Sequence, residues 1–197
     1  MGLGASGDTE GVRKLEKEYQ NMTEQLSINN SNTAVLIMDY QLRQVGSLSD
    51  GIRDELLRKA NEVLAGARNK GIPVFYVEGV RGERTPDREI HESVTPKAGE
   101  VVVTKSRTGP FSTTEIDKVL KKQGIETLAL MGISTSGCVL TTVRWASDID
   151  YQLIVLSDCC ADQDDEVQRV LMEKLFPRQA TVVTSEQFIE ALEQGTK

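Results

Sequence analysis

Cys138 is the residue of this chain best placed to act as a nucleophile. It follows a turn at 132–137 that is rich in glycine and small polar residues. The turn lies between an apolar run at 127–131 that predicts a strand and a pattern at 140–148 that predicts a helix. Cys138 is therefore expected on the first turn of a helix, where free backbone N–H groups and a partial positive charge favour a thiolate and can hold an oxyanion. The position predicts a lowered thiol pKa; the alternative is a buried cysteine at a helix start.

Two charged residues lie at the ends of other predicted strands. The apolar segment 33–38 leads into Asp39, and the segment 101–104 leads into Lys105. Ligands of open parallel sheets bind outside the carboxyl ends of the strands, so both side chains should meet Cys138 at one edge. Taken singly, Asp39 could equally cap a loop, and Lys105 could be an ordinary surface lysine.

The elements that must position these residues alternate along the chain. This alternation predicts an α/β fold: a three-layer α/β/α domain with a six-stranded parallel, Rossmann-like sheet. The predicted strands are 33–39, 73–77, 101–104, 126–131, 152–156 and 180–183, and the predicted helices are 50–69, 112–123, 140–148, 164–175 and 185–192. Ser112 and Glu115 have the spacing of a capping box. The charged segment 80–99 predicts a long functional loop.

Residues 31–197 are expected to form one domain, with residues 1–30 as an N-terminal extension. The first eight residues are small and predicted to be disordered, and residues 10–27 carry the narrow apolar stripe of a helix. That helix could pack on its own domain or on another subunit. Residues 1–6 fit a minimal myristoylation pattern, but no polybasic segment follows, so we do not expect a lipid anchor.

In their order and spacing, these features resemble the isochorismatase-like cysteine hydrolases. The resemblance covers residues 33–190 and includes the Lys-Ser-Arg segment 105–107 followed by Phe111, and the segment 157–162 after the fifth strand. It implies a metal-independent hydrolase in which Cys138 attacks a carbonyl carbon to form a thioester. Asp39 would act as general base and acid, and Lys105 would stabilise both anions.

The resemblance also implies the surroundings of this triad. The peptide bond between Ile133 and Ser134 would be cis, and the backbone N–H groups of Ser134 and Cys138 would form the oxyanion hole. Further candidates for substrate contacts are Tyr40 and Phe111 in the pocket wall and Gln41 and Arg107 as polar groups. Trp145 is expected either near this pocket or in the core.

Three functions remain open at this point. The first is cleavage of a C–N bond in a small amide, ureido or carbamoyl compound. The second is vinyl-ether hydrolysis of isochorismate, which needs Asp39 more than a thiol and would use Arg107 or Arg81 to bind carboxylates. The third is a non-catalytic binding or oligomer-forming protein. The resemblance also implies that substrate specificity depends on the loop at 79–100 and on a neighbouring subunit.

Composition and motifs exclude several other classes. A net charge of -7 disfavours nucleic acids and anionic membranes, and no apolar run approaches the ~20 residues of a membrane span. The single histidine, His91, lies in the charged loop, and no Asp-x-His metal element or phosphate-binding glycine motif occurs, so we expect no metal and no cofactor.

The cysteines indicate the cellular compartment of the protein, and the family resemblance indicates its partners. Three cysteines do not make a disulfide framework, and Cys159 and Cys160 are expected to be buried apolar residues at a strand end. This usage and the lack of a secretory leader pattern predict a cytoplasmic protein. A small-molecule substrate and a homo-oligomer, a dimer or tetramer, are the predicted partners.

Overall fold

Six parallel strands form the centre of the protein, in the order β3-β2-β1-β4-β5-β6. The computed structural model describes residues 26–80 and 82–195, so the predictions for residues 1–25 lie outside the described part. The strands are β1 Thr33–Met38, β2 Val74–Gly79, β3 Val101–Lys105, β4 Thr127–Ile133, β5 Gln152–Ala161 and β6 Thr181–Val183. All neighbouring strands of this sheet pair in parallel, which confirms the predicted Rossmann-like α/β fold.

Helices cover the sheet and connect its strands. The α-helices are α1 Leu42–Val45, α2 Asp50–Asn69, α3 Ile116–Lys122, α4 Leu140–Asp148, α5 Asp165–Val170 and α6 Ser185–Gln194. All six residues of β1 are buried, as expected for a central strand with helices on both faces. Within the described residues, no helix is long and apolar enough to cross a membrane.

The ends of several elements differ from the sequence-based expectations. β5 continues to Ala161, because its pairing with β4 resumes after a register shift between Leu130 and Gly132. The capping box predicted at 112–115 is wrong: α3 begins at Ile116, whose backbone N–H is bonded by the Thr114 hydroxyl. A true capping box occurs at Thr184, at the start of α6.

The strand order determines where a ligand can bind. β1 lies between β2 and β4, so the chain winds outward from β1 in both directions. Loops leaving the two central strands diverge at such a switch point and leave a crevice at their carboxyl ends. Asp39 directly follows β1, and the turn that carries Cys138 directly follows β4.

Candidate active site

The three residues predicted to act together line one cavity at this switch point. Asp39, Lys105 and Cys138 are all part of the wall of a cavity of about 520 Å³. All three are nearly inaccessible, with between 2% and 6% of each residue exposed. Buried charged and nucleophilic groups around an open cavity are the usual composition of a catalytic site.

Asp39 and Lys105 form a buried ion pair. The Lys105 Nζ lies 2.8 Å from the Asp39 Oδ2, and it also donates to the backbone carbonyl of Arg107 at 3.3 Å. Asp39 has a φ of 57°, a left-handed conformation that aspartate and asparagine tolerate better than most residues. Removing either partner would leave an uncompensated buried charge.

A glycine explains how a lysine on β3 reaches a carboxylate on β1. β2 lies between these strands and ends at Gly79, which pairs with Lys105. A Cβ at Gly79 would lie 3.2 Å from the Asp39 Oδ1 and 3.3 Å from the Lys105 Nζ, closer than ordinary van der Waals contact. The missing side chain therefore leaves the space in which the ion pair forms.

Cys138 lies in a π-helical turn, Thr135–Val139, that continues into α4. This turn is the first turn of the continuous helical segment 135–148, so Cys138 lies at a helix start, as the sequence predicted. The Sγ donates to the Ser134 carbonyl at 3.6 Å. A Cβ at Gly132 would lie 3.2 Å from this sulfur, so the glycine at the end of β4 gives the thiol its space.

The surroundings of the thiol raise its pKa instead of lowering it. Burial is the main cause, and the negative charge of Asp39 and its hydrogen bond with the thiol act in the same direction. Lys105 opposes this rise in the pKa, but its charge is shared with the adjacent carboxylate. The contacts of the thiol therefore contradict the predicted lowering of its pKa and favour a thiol that keeps its proton next to a carboxylate that can accept it.

The peptide bond between Ile133 and Ser134 is cis, which confirms the expectation from the family resemblance. Ile133, Ser134 and Cys138 all line the cavity. The backbone positions assigned to the oxyanion hole are therefore both at the cavity wall.

Of the four predicted substrate contacts, Arg107 alone lines the cavity. Tyr40 and Phe111 are core residues: the Tyr40 hydroxyl donates to the Cys159 carbonyl at 2.7 Å, and Phe111 packs against Tyr151 with ring centroids 6.1 Å apart. Their placement in the pocket wall is a wrong prediction, because the hydrophobic effect buries both rings in the core.

Gln41, the fourth predicted substrate contact, does not line the cavity but binds the loop after β2. Its Oε1 accepts from the Gly79 backbone N–H at 2.8 Å, and its Nε2 donates to the Arg88 carbonyl. Residues 40–42 pair with residues 89–91 through the hydrogen bonds Leu42 N–H to Glu89 O and His91 N–H to Tyr40 O, both 2.9 Å. Gln41 thereby fixes the segment that brings Arg88 to the cavity.

Several cavity residues were missed by the sequence analysis. They are Arg43, Gln44 and Ser47 from α1 and the turn after it, Arg88 from the loop after β2, and Asp162 and Gln163 after β5. The segment 157–162 was noted, but its last residue was not singled out. The only signal for Arg88 was the high charge of its loop, which does not indicate which of its side chains faces the site.

The other described residues that the sequence analysis considered do not line the cavity. His91 is a loop residue whose Nδ1 accepts from the Ser93 N–H at 3.2 Å. Cys159 and Cys160 are buried free thiols in β5, as predicted, and burial raises the pKa of Cys160 to about 12. Trp145 is 44% exposed on α4, outside the core and the cavity wall. Arg81 lies outside the described residues.

Comparison with known proteins identifies the family. The family model of the isochorismatase domain matches residues 33–187. The uncharacterized isochorismatase family protein YddQ of Bacillus subtilis is 29% identical over 178 residues, covering 80% of this chain and 99% of that protein.

Two solved structures show the same fold. A cysteine hydrolase from Pseudomonas syringae pv. phaseolicola is 25% identical with a TM-score of 0.80, and the match covers 86% of this chain and 96% of that one. N-carbamoylsarcosine amidase from Thermoplasma acidophilum is 25% identical with a TM-score of 0.71, covering 79% and 97% of the two chains. The chain belongs to the isochorismatase family and is a hydrolase of that family.

Proposed function

We propose that this hydrolase cleaves a C–N bond in a small amide, ureido or carbamoyl compound through a thioester on Cys138. The observation that carries the proposal is the buried Asp39–Lys105 ion pair beside the Cys138 thiol on the wall of an open cavity. The family also contains N-carbamoylsarcosine amidase, whose name describes this bond type.

The first half of the reaction would form the thioester. Asp39 takes the thiol proton as the Cys138 sulfur bonds to the carbonyl carbon, and the carbonyl oxygen becomes an oxyanion. The backbone N–H groups of Ser134 and Cys138 would bind that oxyanion. When the tetrahedral intermediate collapses, the C–N bond breaks, and Asp39 gives its proton to the leaving nitrogen.

The second half would hydrolyse the thioester. Water attacks the acyl carbon while Asp39 takes its proton, and the C–S bond breaks to release the acid. The thiolate then recovers the proton from Asp39, which restores the starting state. Lys105 stabilises the Asp39 carboxylate when it is ionised and the thiolate when it forms.

The test is a screen of small amides by ammonia release, followed by mass spectrometry of the quenched enzyme. We expect turnover together with an acyl adduct on Cys138 that hydroxylamine removes. Cys138→Ala and Asp39→Asn should each lose at least about a thousandfold in kcat, as expected for residues that act as one unit. Amide turnover that survives Cys138→Ala would refute the thioester route.

Vinyl-ether hydrolysis is the second candidate, and the arginines on the cavity wall favour it because isochorismate carries carboxylates. In that reaction the substrate is protonated and attacked by water, so Cys138→Ala would spare pyruvate release whereas Asp39→Asn would abolish it. A non-catalytic role remains the third candidate, and an absence of turnover on both substrate classes would support it.

The cellular location and the oligomeric state of the protein remain predictions. The free thiols of Cys138, Cys159 and Cys160 support a reducing, cytoplasmic environment, and the family resemblance supports a homo-oligomer.

A further inference from the structure

The cavity above Cys138 carries an excess of positive charge. Besides the Asp39–Lys105 ion pair, its wall includes three arginines, Arg43, Arg88 and Arg107, but one further carboxylate, Asp162. The chain as a whole has a net charge of -7, so this concentration of cations is contrary to the overall charge of the protein. Clefts lined with one sign of charge attract small ions of the opposite sign.

The carboxylate of Asp162 is already engaged by backbone groups. Its Oδ2 accepts from the Ser136 N–H at 2.7 Å and its Oδ1 accepts from the Gln163 N–H at 3.0 Å. These bonds tie the end of β5 to the turn that carries Cys138. Asp162 therefore has a structural role that accounts for its presence beside the site.

The arginines differ in how far their charge is compensated. The Arg43 guanidinium lies 3.9 Å from the Asp87 carboxylate, and its side chain is 63% exposed, so that contact is long and screened. Arg88 donates to the Gly79 carbonyl at 3.4 Å, a contact near the limit of a hydrogen bond. Across the described residues, neither Arg88 nor Arg107 has an ion pair.

Both of these arginines are held at the cavity by their backbones. The Arg88 carbonyl accepts from the buried Gln41 side chain, and the Arg107 carbonyl accepts from the Lys105 Nζ. Lys105 is itself part of the buried ion pair with Asp39. The backbones that carry the two guanidinium groups are thus fixed relative to the candidate catalytic centre.

We propose that the substrate carries a carboxylate in addition to the bond that is cleaved, and that Arg88 and Arg107 bind this carboxylate. The inference rests on the proposed C–N hydrolysis and narrows its substrate class to anionic amides, such as monoamides of dicarboxylic acids and N-carbamoyl amino acids. Arginine suits this role because its planar guanidinium donates two parallel hydrogen bonds to a carboxylate. A cavity of about 520 Å³ is large enough for a molecule of this kind.

Binding measured without turnover tests this proposal. In the Cys138→Ala background, calorimetry would compare succinamate with its neutral counterpart succinamide, and N-carbamoylglycine with its neutral amide. The anionic member of at least one pair should bind at least about tenfold more tightly, and the difference should shrink at high salt. If neither anion binds more tightly than its neutral counterpart, the proposal is overturned.

Substitutions locate the carboxylate. Arg88→Ala and Arg107→Ala should each weaken binding of the anion by about tenfold to a hundredfold, as expected for a charge-assisted hydrogen bond, and should leave the neutral amide unaffected. Arg107→Lys should retain part of the affinity as a point charge. Arg144→Ala is the matched control, because Arg144 is exposed, contacts Gln179 and is not on the cavity wall.

The outcomes separate this proposal from the proposed function. Unchanged anion binding in both Arg88→Ala and Arg107→Ala would overturn the carboxylate site, even if wild-type enzyme hydrolyses amides through Cys138. Anion binding that depends on these arginines, together with amide turnover that survives Cys138→Ala, would support the site and overturn the thioester route. Both arginines are at least partly exposed, so a thermal melt should show that the alanine variants fold.

Discussion

At the scale of single residues, the site depends on the buried Asp39–Lys105 ion pair and on the thiol that faces it. Burial and the facing Asp39 raise the pKa of the Cys138 thiol, and Lys105 pairs with the same carboxylate at 2.8 Å. A permanently charged thiolate would need compensation of its own in this setting. The arrangement favours proton transfer at the moment of attack over a preformed thiolate.

The pH dependence of Cys138 alkylation tests whether the pKa of this thiol is raised. We expect the apparent pKa of Cys138 to lie above the ordinary thiol value of about 8.5. Asp39→Asn should lower this pKa because it removes the nearby negative charge, whereas Lys105→Met should raise it further. Iodoacetamide labelling across pH, read by mass spectrometry at each cysteine, gives all three values.

Cys160 is the internal control for these measurements. Its pKa is raised by its own burial and by Asp158, so neither substitution at the ion pair should move it. A Cys138 pKa below the ordinary value in the wild-type protein would contradict the description, and would support the thiolate expected from the helix start.

Gly79 offers a second test at the same scale. Gly79→Ala would place a methyl group 3.2 Å from the Asp39 Oδ1 and 3.3 Å from the Lys105 Nζ, so the ion pair must shift by a few tenths of an ångström. We expect kcat to fall by roughly tenfold, because small displacements of catalytic groups are costly. Steady-state kinetics and a thermal melt would separate this effect from misfolding.

Gly51→Ala is the matched control for that variant. Its Cβ would meet nothing within 4 Å, and it lies in the first turn of α2. Activity should be unchanged, and stability should rise by up to about 1 kcal/mol. An equal loss of activity in both variants would show that Gly79 has no special relation to the ion pair.

The catalytic candidates could be predicted from sequence because each is tied to a strand end. The apolar runs leading to Asp39 and Lys105 place both residues at the carboxyl edge of the sheet. Tyr40 follows Asp39 directly, and sequence position alone does not show that its ring turns into the core. The raised pKa of the Cys138 thiol could not be predicted from the sequence either, since its burial and the facing carboxylate depend on tertiary contacts.

At the scale of elements, the strands and helices were predicted more closely than the segments between them. Their apolar periodicity is local, whereas the loop after β2 takes its form from contacts that are distant in sequence. The short 3₁₀ helix at Pro86–Arg88 is held partly by Gln41, which is 47 residues away from Arg88. The side chain of Glu78 adds a bidentate pair with Arg84 at 2.7 and 2.8 Å.

Gln41→Ala tests whether this contact organises the loop. The variant leaves the Gly79 N–H and the Arg88 carbonyl without partners, at a cost of about 1–3 kcal/mol. We expect faster hydrogen exchange of the amides at 88–91 and weaker binding of an anionic substrate. Gln123→Ala, an exposed position after α3, should change neither. Unchanged exchange at 88–91 would refute the role of Gln41.

At the scale of the whole molecule, assembly of the protein into a homo-oligomer remains a prediction. Sedimentation should give a species larger than the 21.7 kDa monomer, and a monomer alone would refute a homo-oligomer. The amphipathic segment 10–27 was considered as an arm between subunits, but most of it lies outside the described residues. Removal of residues 1–25, compared with the full chain in the same experiment, would show whether that segment contributes.

Protonated groups buried throughout the fold make its stability sensitive to alkaline pH. Burial raises the pKa of the thiols of Cys138, Cys159 and Cys160 and of three phenols, Tyr40, Tyr76 and Tyr151, with the pKa of Tyr76 raised to about 12. Above the unfolded pKa values of about 8.5 and 10, the unfolded chain loses these protons while the folded chain keeps them. The folded state then binds more protons, so the free energy of unfolding falls as pH rises.

Cys160→Ala should make this decline shallower. Between pH 9 and the raised folded pKa of about 12, each such thiol contributes a slope of up to about 1.4 kcal/mol per pH unit, which the variant removes. Urea unfolding under reducing conditions from pH 7 upward would measure the slope. Val155→Ala, at a fully buried position on the same strand, should lower stability equally at every pH without changing the slope. Parallel curves for wild type and Cys160→Ala would mean that this thiol ionises alike in both states, and its burial in β5 would then carry no linkage to pH.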